Sequence, residues 1–394
     1  MSEQLINEKL EIDTSTYKFL PFQYSDCAIS RLKFKDVTYS YFYENFMLKN
    51  IPCLISNTSD LWECSKTWVR NDNTINLEYI NNEYGHLTVP VADCNSTEFN
   101  SQCKQNMTVN EYVTYMKNDK NKLLYLKDWH LKRTRPDHNF YEVPQMFASD
   151  WLNEYSLDRN EDDFMFVYIG PKDSWTPLHV DVYSSYSWSV NVVGRKKWIL
   201  FPPGEENKLK DSLGNLPLLF DSNTYKDVCY YEVIQEKGDA IFVPTGWHHQ
   251  VVNVIDTISV NHNWINACNI QAVWYALQDC LKSVEHEIEE FKDTPEFPSQ
   301  CQTILKSLFG MDYESFILFL NHIANKRLSQ FKGETFLIFQ KYILGKNLIA
   351  FDLKMINNVM EDIMRNPHFF ETYLLSPLKH DFINIKKSIN EVIN

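Results

Sequence analysis

Two histidines and an aspartate stand out by type and spacing. His179 and Asp181 lie two residues apart in Gly170-Pro-Lys-Asp-Ser-Trp-Thr-Pro-Leu-His-Val-Asp181, and the stretch Val243-Pro-Thr-Gly-Trp-His248-His249 returns two further imidazoles. In a strand, a two-residue spacing puts both side chains on one face. Two imidazoles and one carboxylate converging from neighbouring strands form the facial donor set that suits ferrous iron and leaves positions open for other ligands. A structural zinc site would want a fourth protein ligand to close it. A lone His-x-Asp is a weak signal, but this one has support on both sides. It follows a Gly-Pro turn and precedes a strand and Gly194-Arg-Lys-Lys-Trp198, and the chain then returns through Gly238-Asp-Ala-Ile-Phe-Val-Pro-Thr-Gly-Trp-His-His249.

The elements that must position these groups are written around them. Short apolar runs at 164–169, 186–193, 197–201, 228–233, 240–243, 249–254 and 257–261 are separated by Gly and Pro turns. Many short strands at this spacing predict a closed or two-layered antiparallel barrel, with the jelly roll as the natural arrangement. The polar excursion 204–227 reads as an insertion at the barrel rim. We divide the chain into a polar lead-in (1–25), an α/β flank (26–150), a barrel core (151–270) and a helical C-terminal region (271–394).

Within the flank, the aromatic-rich segment 32–47 predicts a helix and 51–55 a short strand. Segments 62–68 and 75–80 read as pieces packed on a sheet edge. Residues 92–108, rich in Asn, Ser, Thr and Cys, have the composition of a surface loop. Thr108, with Glu111 three residues on, predicts a capped helix over 108–116. The aromatic and basic mixture from Tyr125 to His138 is either a wall of a substrate groove or a solvated loop after a buried strand. Helical spacing recurs at 273–291, 304–308, 313–323, 336–342, 353–364 and 369–375. Those helices form either a subdomain against the barrel or a dimerisation element, and self-association is left open.

Composition narrows the functional classes. With 44% hydrophobic residues, including 25 Phe, 22 Tyr and 10 Trp, the chain can bury a sizeable core. A net charge of −14 argues against a phosphate-backbone partner and is compatible with a basic protein one. Nine cysteines without a CxxC pair read as free thiols in a reducing compartment, so a cytoplasmic location is expected, with the nucleus admitted. The first residues lack the pattern of a signal peptide, and no apolar run is long enough for a membrane span.

Six motifs then carry a resemblance: Tyr125-Leu-Lys-Asp-Trp-His-Leu131, the Gly170–Asp181 stretch, Trp188-Ser-Val-Asn-Val-Val-Gly-Arg-Lys-Lys-Trp-Ile-Leu-Phe-Pro-Pro-Gly-Glu205, Gly214-Asn-Leu-Pro217, Phe242-Val-Pro-Thr-Gly-Trp-His-His-Gln-Val251 and Asp256-Thr-Ile-Ser-Val-Asn-His-Asn-Trp-Ile-Asn266. Over roughly residues 25–275 the chain resembles the JmjC family, and within it the lysyl hydroxylases that act on a translation termination factor. The resemblance implies a mostly β core, a double-stranded β-helix of the jelly-roll, cupin-like kind with flanking helices. It also implies Fe(II) as cofactor, 2-oxoglutarate and O2 as cosubstrates, and a protein substrate such as a translation release factor.

Carried over by position, the resemblance makes His179, Asp181 and His249 the iron ligands. His248 is the local rival. The pair is ambiguous by itself, and the family pattern of a Trp, one further residue and then the ligand selects His249. Lys196 matches the lysine that pairs with the distal carboxylate of 2-oxoglutarate, and a lysine inside a dry barrel needs such a counter-charge. Arg195 and Lys197 fall on the opposite strand face. Thr176, Asn261, Ser189 and Asn191 are further candidate cosubstrate contacts, although each side chain could instead satisfy its own turn or strand.

Other readings share parts of this pattern. A histone or protein lysine demethylase would use the same iron chemistry, although no cysteine-rich reader module accompanies it here. A non-catalytic JmjC-like binding module would be expected to have lost a ligand. A cupin using another metal would leave Lys196 unexplained.

Overall fold

Two β-sheets face each other across the interior expected for the barrel. The computed structural model describes residues 8–13, 28–98, 101–118, 121–212, 214–366 and 376–393. Its first strands are β1 (Glu8–Leu10), β2 (Ser30–Lys33), β3 (Cys53–Ser56), β4 (Thr88–Glu98), β5 (Ser101–Thr108) and β6 (Leu124–Trp129). The barrel adds β7 (Met165–Gly170), β8 (Trp175–His179), β9 (Tyr186–Val193), β10 (Lys196–Phe201), β11 (Tyr231–Gln235), β12 (Ala240–Val243), β13 (His248–Asn253) and β14 (Thr257–Trp264), and β15 (Tyr342–Leu344) follows late in the chain. One sheet runs β2-β3-β12-β9-β14-β7-β6-β4-β5, and the facing one runs β11-β10-β13-β8. The small sheet is antiparallel throughout. The result is the cupin-like jelly roll expected, with a helical C-terminal region.

Side-chain alternation explains both layers. On β9 and β14, Trp188, Val190, Val192, Ile258, Val260 and Trp264 enter the main core behind the large sheet. The residues between them, Ser187, Ser189, Asn191, Ser259, Asn261 and Asn263, therefore face the barrel interior. On β10, Trp198 and Leu200 point inward to meet Leu54, Ile241, Val243, Trp247 and Val251. Ile199 and Phe201 point outward and pack under the 204–227 excursion through Leu209 and Phe220.

Several flank expectations change. Residues 92–108 are not a loop, because β4 and β5 pair as a long hairpin at the sheet edge. Edge strands keep their polar side chains in water, so loop composition and edge-strand composition coincide there. Segment 32–47 is not one helix. Its start belongs to β2, parallel to β3, and a 3-10 turn follows at Phe34–Asp36. The expected helix forms from α1 (Tyr39–Phe42), where Thr38 accepts from the Tyr41 N–H, through a π-helical turn at Tyr43–Met47. The edge pieces are the helices α2 (Glu63–Thr67) and α3 (Leu77–Tyr84).

The helix at 108–116 forms as α4 (Val109–Asn118). The Thr108 N–H donates to Glu111 Oε2 at 2.7 Å and the Glu111 N–H to Thr108 Oγ1 at 3.2 Å, a reciprocal capping box. Thr108→Ala is expected to cost about 1 kcal/mol, read as a lower urea midpoint at unchanged slope.

Two short helices, α5 (Leu131–Thr134) and α6 (Trp151–Arg159), precede the barrel. After it come α7 (Ile270–Glu287), α8 (Phe297–Phe309), α9 (Tyr313–Phe331), α10 (Lys346–Arg365) and α11 (Ser376–Ile393). They share one continuous core with the outer face of the large sheet. Buried Arg327 of α9 bridges Glu154 of α6 and Asp352 of α10, each at 2.7 Å. Residues 336–342 are not helical: the chain there leads into β15, which pairs in parallel with β1. Part of the expected lead-in is thus built into the fold, with Leu10 and Ile12 buried. The helix expected at 369–375 lies outside the described residues. No described helix is long and apolar enough to cross a membrane.

Candidate metal centre

His179 closes β8 and His249 sits directly opposite it on β13, with ring centroids 4.3 Å apart. Asp181 lies beyond the end of the strand, so the regular strand expected across both residues stops short. Its backbone stays extended (φ −64°, ψ 151°) and leads into a short 3-10 turn, Val182–Ser184. The carboxylate still returns to the same face, with Oδ2 3.9 Å from His249 Nε2. One ligand atom from each of His179, Asp181 and His249 lies within 4.8 Å of the others.

The surroundings fix how these atoms are presented. His179 Nδ1 contacts the Pro177 carbonyl at 2.8 Å and His249 Nδ1 the Trp247 carbonyl at 3.1 Å. A carbonyl only accepts, so each Nδ1 carries a proton, which leaves Nε2 as the atom of each ring that can ligate. The Ser187 hydroxyl donates to Asp181 Oδ2 at 2.6 Å. Burial works to raise the Asp181 carboxyl, but His249, His179 and the hydrogen bonds from Ser187 and Asn263 hold it below the usual carboxylate range. Burial, then His179, pushes His249 down to about 4, against the pull of Asp181, so the imidazole is neutral near pH 7. Two imidazoles presenting Nε2 and one ionised carboxylate fit a ferrous ion. His248, next in the strand, turns the other way and lies 3.8 Å from Glu206.

The loop after Asp181 is braced from the helical region. Tyr183 adopts φ 58°, and its ring packs against Phe164 and Phe309. A Cβ on Gly310 would meet that ring at 2.8 Å, so this close approach requires glycine.

Deeper in the barrel, Lys196 is 2% exposed. Its amine donates to Ser259 Oγ at 2.7 Å and Tyr125 Oη at 3.4 Å. Among the described residues no carboxylate pairs with it, and burial pushes it down to about 7. Arg195 and Lys197 face outward, paired with Glu236 and Glu232. Asn261 Nδ2 reaches the same Ser259 hydroxyl at 3.1 Å. Ser189, opposite Asn261, has a buried hydroxyl with no hydrogen-bond partner. Asn191 donates to the Gly194 carbonyl of its own turn, while its Oδ1 is buried without a partner. Thr176 lies opposite Val251, whose side chain enters the interior cluster. A buried amine without a counter-charge among the described residues, in the same barrel as the unpartnered Ser189 hydroxyl, which can donate, fits a small dicarboxylate.

Sequence reasoning missed Tyr125, Ser259 and Ser187. Each had a signal: Tyr125 opens the Tyr125–Leu131 motif, Ser259 shares a face with Asn261, and Ser187 shares one with Ser189.

A jelly roll holding two imidazoles and a carboxylate above a buried lysine defines a cupin-like non-haem iron oxygenase. Residues 39–270 match the cupin-like domain family. The chain is 43% identical over 362 residues to the 2-oxoglutarate and iron-dependent oxygenase JMJD4 of zebrafish, covering 85% of this chain and 86% of that one. It is 40% identical over 361 residues to the human protein of that name, covering 86% of each. It is also 36% identical over 363 residues to the arginine-specific demethylase JMJ20 of Arabidopsis thaliana, covering 85% of this chain and 77% of that one. The chain belongs to the JMJD4 family of JmjC-type, iron- and 2-oxoglutarate-dependent oxygenases.

Proposed function

We propose that this oxygenase is a protein hydroxylase that adds one oxygen atom to a lysine side chain of a translation release factor, in the cytoplasm. When bound, iron with its keto-acid supplies transfer of oxygen from O2 to an unactivated carbon, coupled to conversion of 2-oxoglutarate to succinate and CO2. His179, Asp181 and His249 would hold the metal. Lys196, with Tyr125 beside it, would neutralise the distal carboxylate of 2-oxoglutarate, and Asn261, Ser189 and Thr176 would line the same pocket. Asn191 would act mainly by fixing the Gly194 turn that precedes Lys196.

The observation that carries the cosubstrate assignment is the buried amine of Lys196, without a counter-charge among the described residues, in the same barrel as the three-ligand group. The lysyl target rests on the family, and the net charge of −14 suits a lysine-bearing partner. The similarity to a demethylase favours a second reading, removal of a methyl group from a basic side chain. Incubation with Fe(II), 2-oxoglutarate, O2 and purified release factor, followed by peptide mass spectrometry, separates the two. The expected product gains the mass of one oxygen on a lysine. A methylated peptide that instead loses its methyl group would replace the hydroxylase reading, and succinate formed with no modified lysine would remove the proposed target.

A further inference from the structure

The β6 strand carries an irregularity next to this pocket. Its pairing with β7 shifts between Leu126 and Trp129, and Asp128 lies in the left-handed region at φ 58°. Leu126 and Trp129 both enter the main core, so regular alternation could not be kept between them. The bulge absorbs the extra residue and turns Asp128 away from the core. Aspartate tolerates this conformation better than most residues, but it remains a cost that persists where the surroundings hold it in place.

Asp128 is held by Tyr168, whose hydroxyl donates to Asp128 Oδ1 at 2.8 Å. Tyr168 is opposite Ser259, the hydroxyl that receives the Lys196 amine, and Lys196 Nζ lies 5.9 Å from the Tyr168 ring centre. The ring also meets Tyr125 edge-on at 6.0 Å. Burial, then Asp128, raises the Tyr168 hydroxyl well above its ordinary range, with Tyr125 and Asp181 adding to it, so the phenol stays a donor. One aromatic ring therefore separates the cosubstrate lysine from a half-exposed carboxylate.

That carboxylate already holds a primary ammonium. Lys104 Nζ, from edge strand β5, sits 2.7 Å from Asp128 Oδ2. The Lys104 side chain is 57% exposed and that of Asp128 37%. Such a surface pair is worth at most about 1 kcal/mol, so another ammonium can exchange for it at little cost.

We propose that Asp128 is the anchor for the cationic end of the substrate side chain, with Tyr168 fixing the carboxylate and Lys104 occupying it until substrate arrives. The proposal rests on the lysyl reading above and names the group that would enforce it. Once the bound substrate covers the carboxylate, the exchanged contact is no longer a solvent-screened surface pair. A charge-assisted contact in that setting predicts about a 10-fold to 100-fold preference for lysine over an uncharged side chain of the same length.

The test uses the full chain loaded anaerobically with Fe(II) and 2-oxoglutarate. Its probes are the peptide on which the parent adds one oxygen, and the same peptide with norleucine in place of the target lysine. The parent is expected to bind the lysine peptide at least about tenfold tighter. In Asp128→Asn the two peptides should bind nearly equally, because the lysine peptide weakens and the norleucine peptide does not. Lys104→Gln should tighten only the lysine peptide, about two- to threefold. Retention of the parent's lysine preference in Asp128→Asn, or equal weakening of both peptides, overturns the anchor. If Asp128→Asn fails to fold, Lys104→Gln decides alone: unchanged lysine-peptide affinity overturns the proposal. A parent that adds oxygen to no lysine removes the lysyl reading itself, a separate outcome from loss of the anchor.

Discussion

Replacing His249 with alanine is expected to abolish iron binding, while His248→Ala retains most of it. The two residues are neighbours, but strand alternation sends them to opposite faces. His249 lies inside, paired with His179 across the sheet and 3.9 Å from Asp181. His248 lies at the rim, 3.8 Å from Glu206. His249→Ala removes one of three ligands and the first of the groups that hold Asp181 ionised, leaving His179, Ser187 and Asn263. Groups that merely orient a ligand are worth about 10- to 100-fold in metal affinity, so loss of the ligand itself is expected to exceed about 100-fold. Anaerobic Fe(II) titration in the presence of 2-oxoglutarate, read by the visible band of the chelate, measures this directly. Comparable affinity losses in the two variants would mean that the metal uses the rim rather than the interior.

Lys196→Met is expected to make the protein without 2-oxoglutarate more stable and to make it nearly blind to 2-oxoglutarate. An exposed lysine titrates near 10.5, whereas burial pushes Lys196 down to about 7. Between those values the unfolded chain binds more protons than the folded one, so the parent's stability rises with pH across that window. The penalty is fully present below about pH 7 and is relieved as pH climbs towards 10.5. A fall of that size corresponds to about 5 kcal/mol, and the hydrogen bonds to Ser259 and Tyr125 return about 1 kcal/mol each.

Methionine fills the same space without a charge. The variant should therefore gain several degrees in Tm near pH 7 and lose the parent's stability slope between neutral and alkaline pH. The parent should gain Tm steeply with added 2-oxoglutarate through binding linkage. The variant should gain almost none, with Kd for 2-oxoglutarate weakened by about 100-fold or more, while iron binding persists. A variant no more stable than the parent, with the same response to 2-oxoglutarate, would show that Lys196 meets neither the cost nor the ligand assigned to it.

The strands of the barrel are legible because each has two different environments. In β14, Ser259, Asn261 and Asn263 alternate with Ile258, Val260 and Trp264, which is the period of a sheet with one packed face and one polar face. The same alternation separates Lys196 from Arg195 and Lys197. It fails at β4 and β5, where solvent reaches too much of the hairpin for alternation to be enforced. It also fails at β1 and β15, whose pairing joins opposite ends of the chain and leaves no local trace.

The chain's local chemistry determined the donor types, their presence in a barrel of short strands, and which of the three consecutive cations Arg195, Lys196 and Lys197 would be buried. Spacing alone left open which of two adjacent histidines faces the metal position; the family resemblance selected His249, and the tertiary structure places it with His179 and Asp181. Only the tertiary structure brought Tyr125 and Ser259 to the Lys196 amine, and Tyr168 to Asp128. The reason is that periodicity reports which residues share a face, whereas the identity of the opposing face depends on strand pairings between distant segments, which no local pattern encodes.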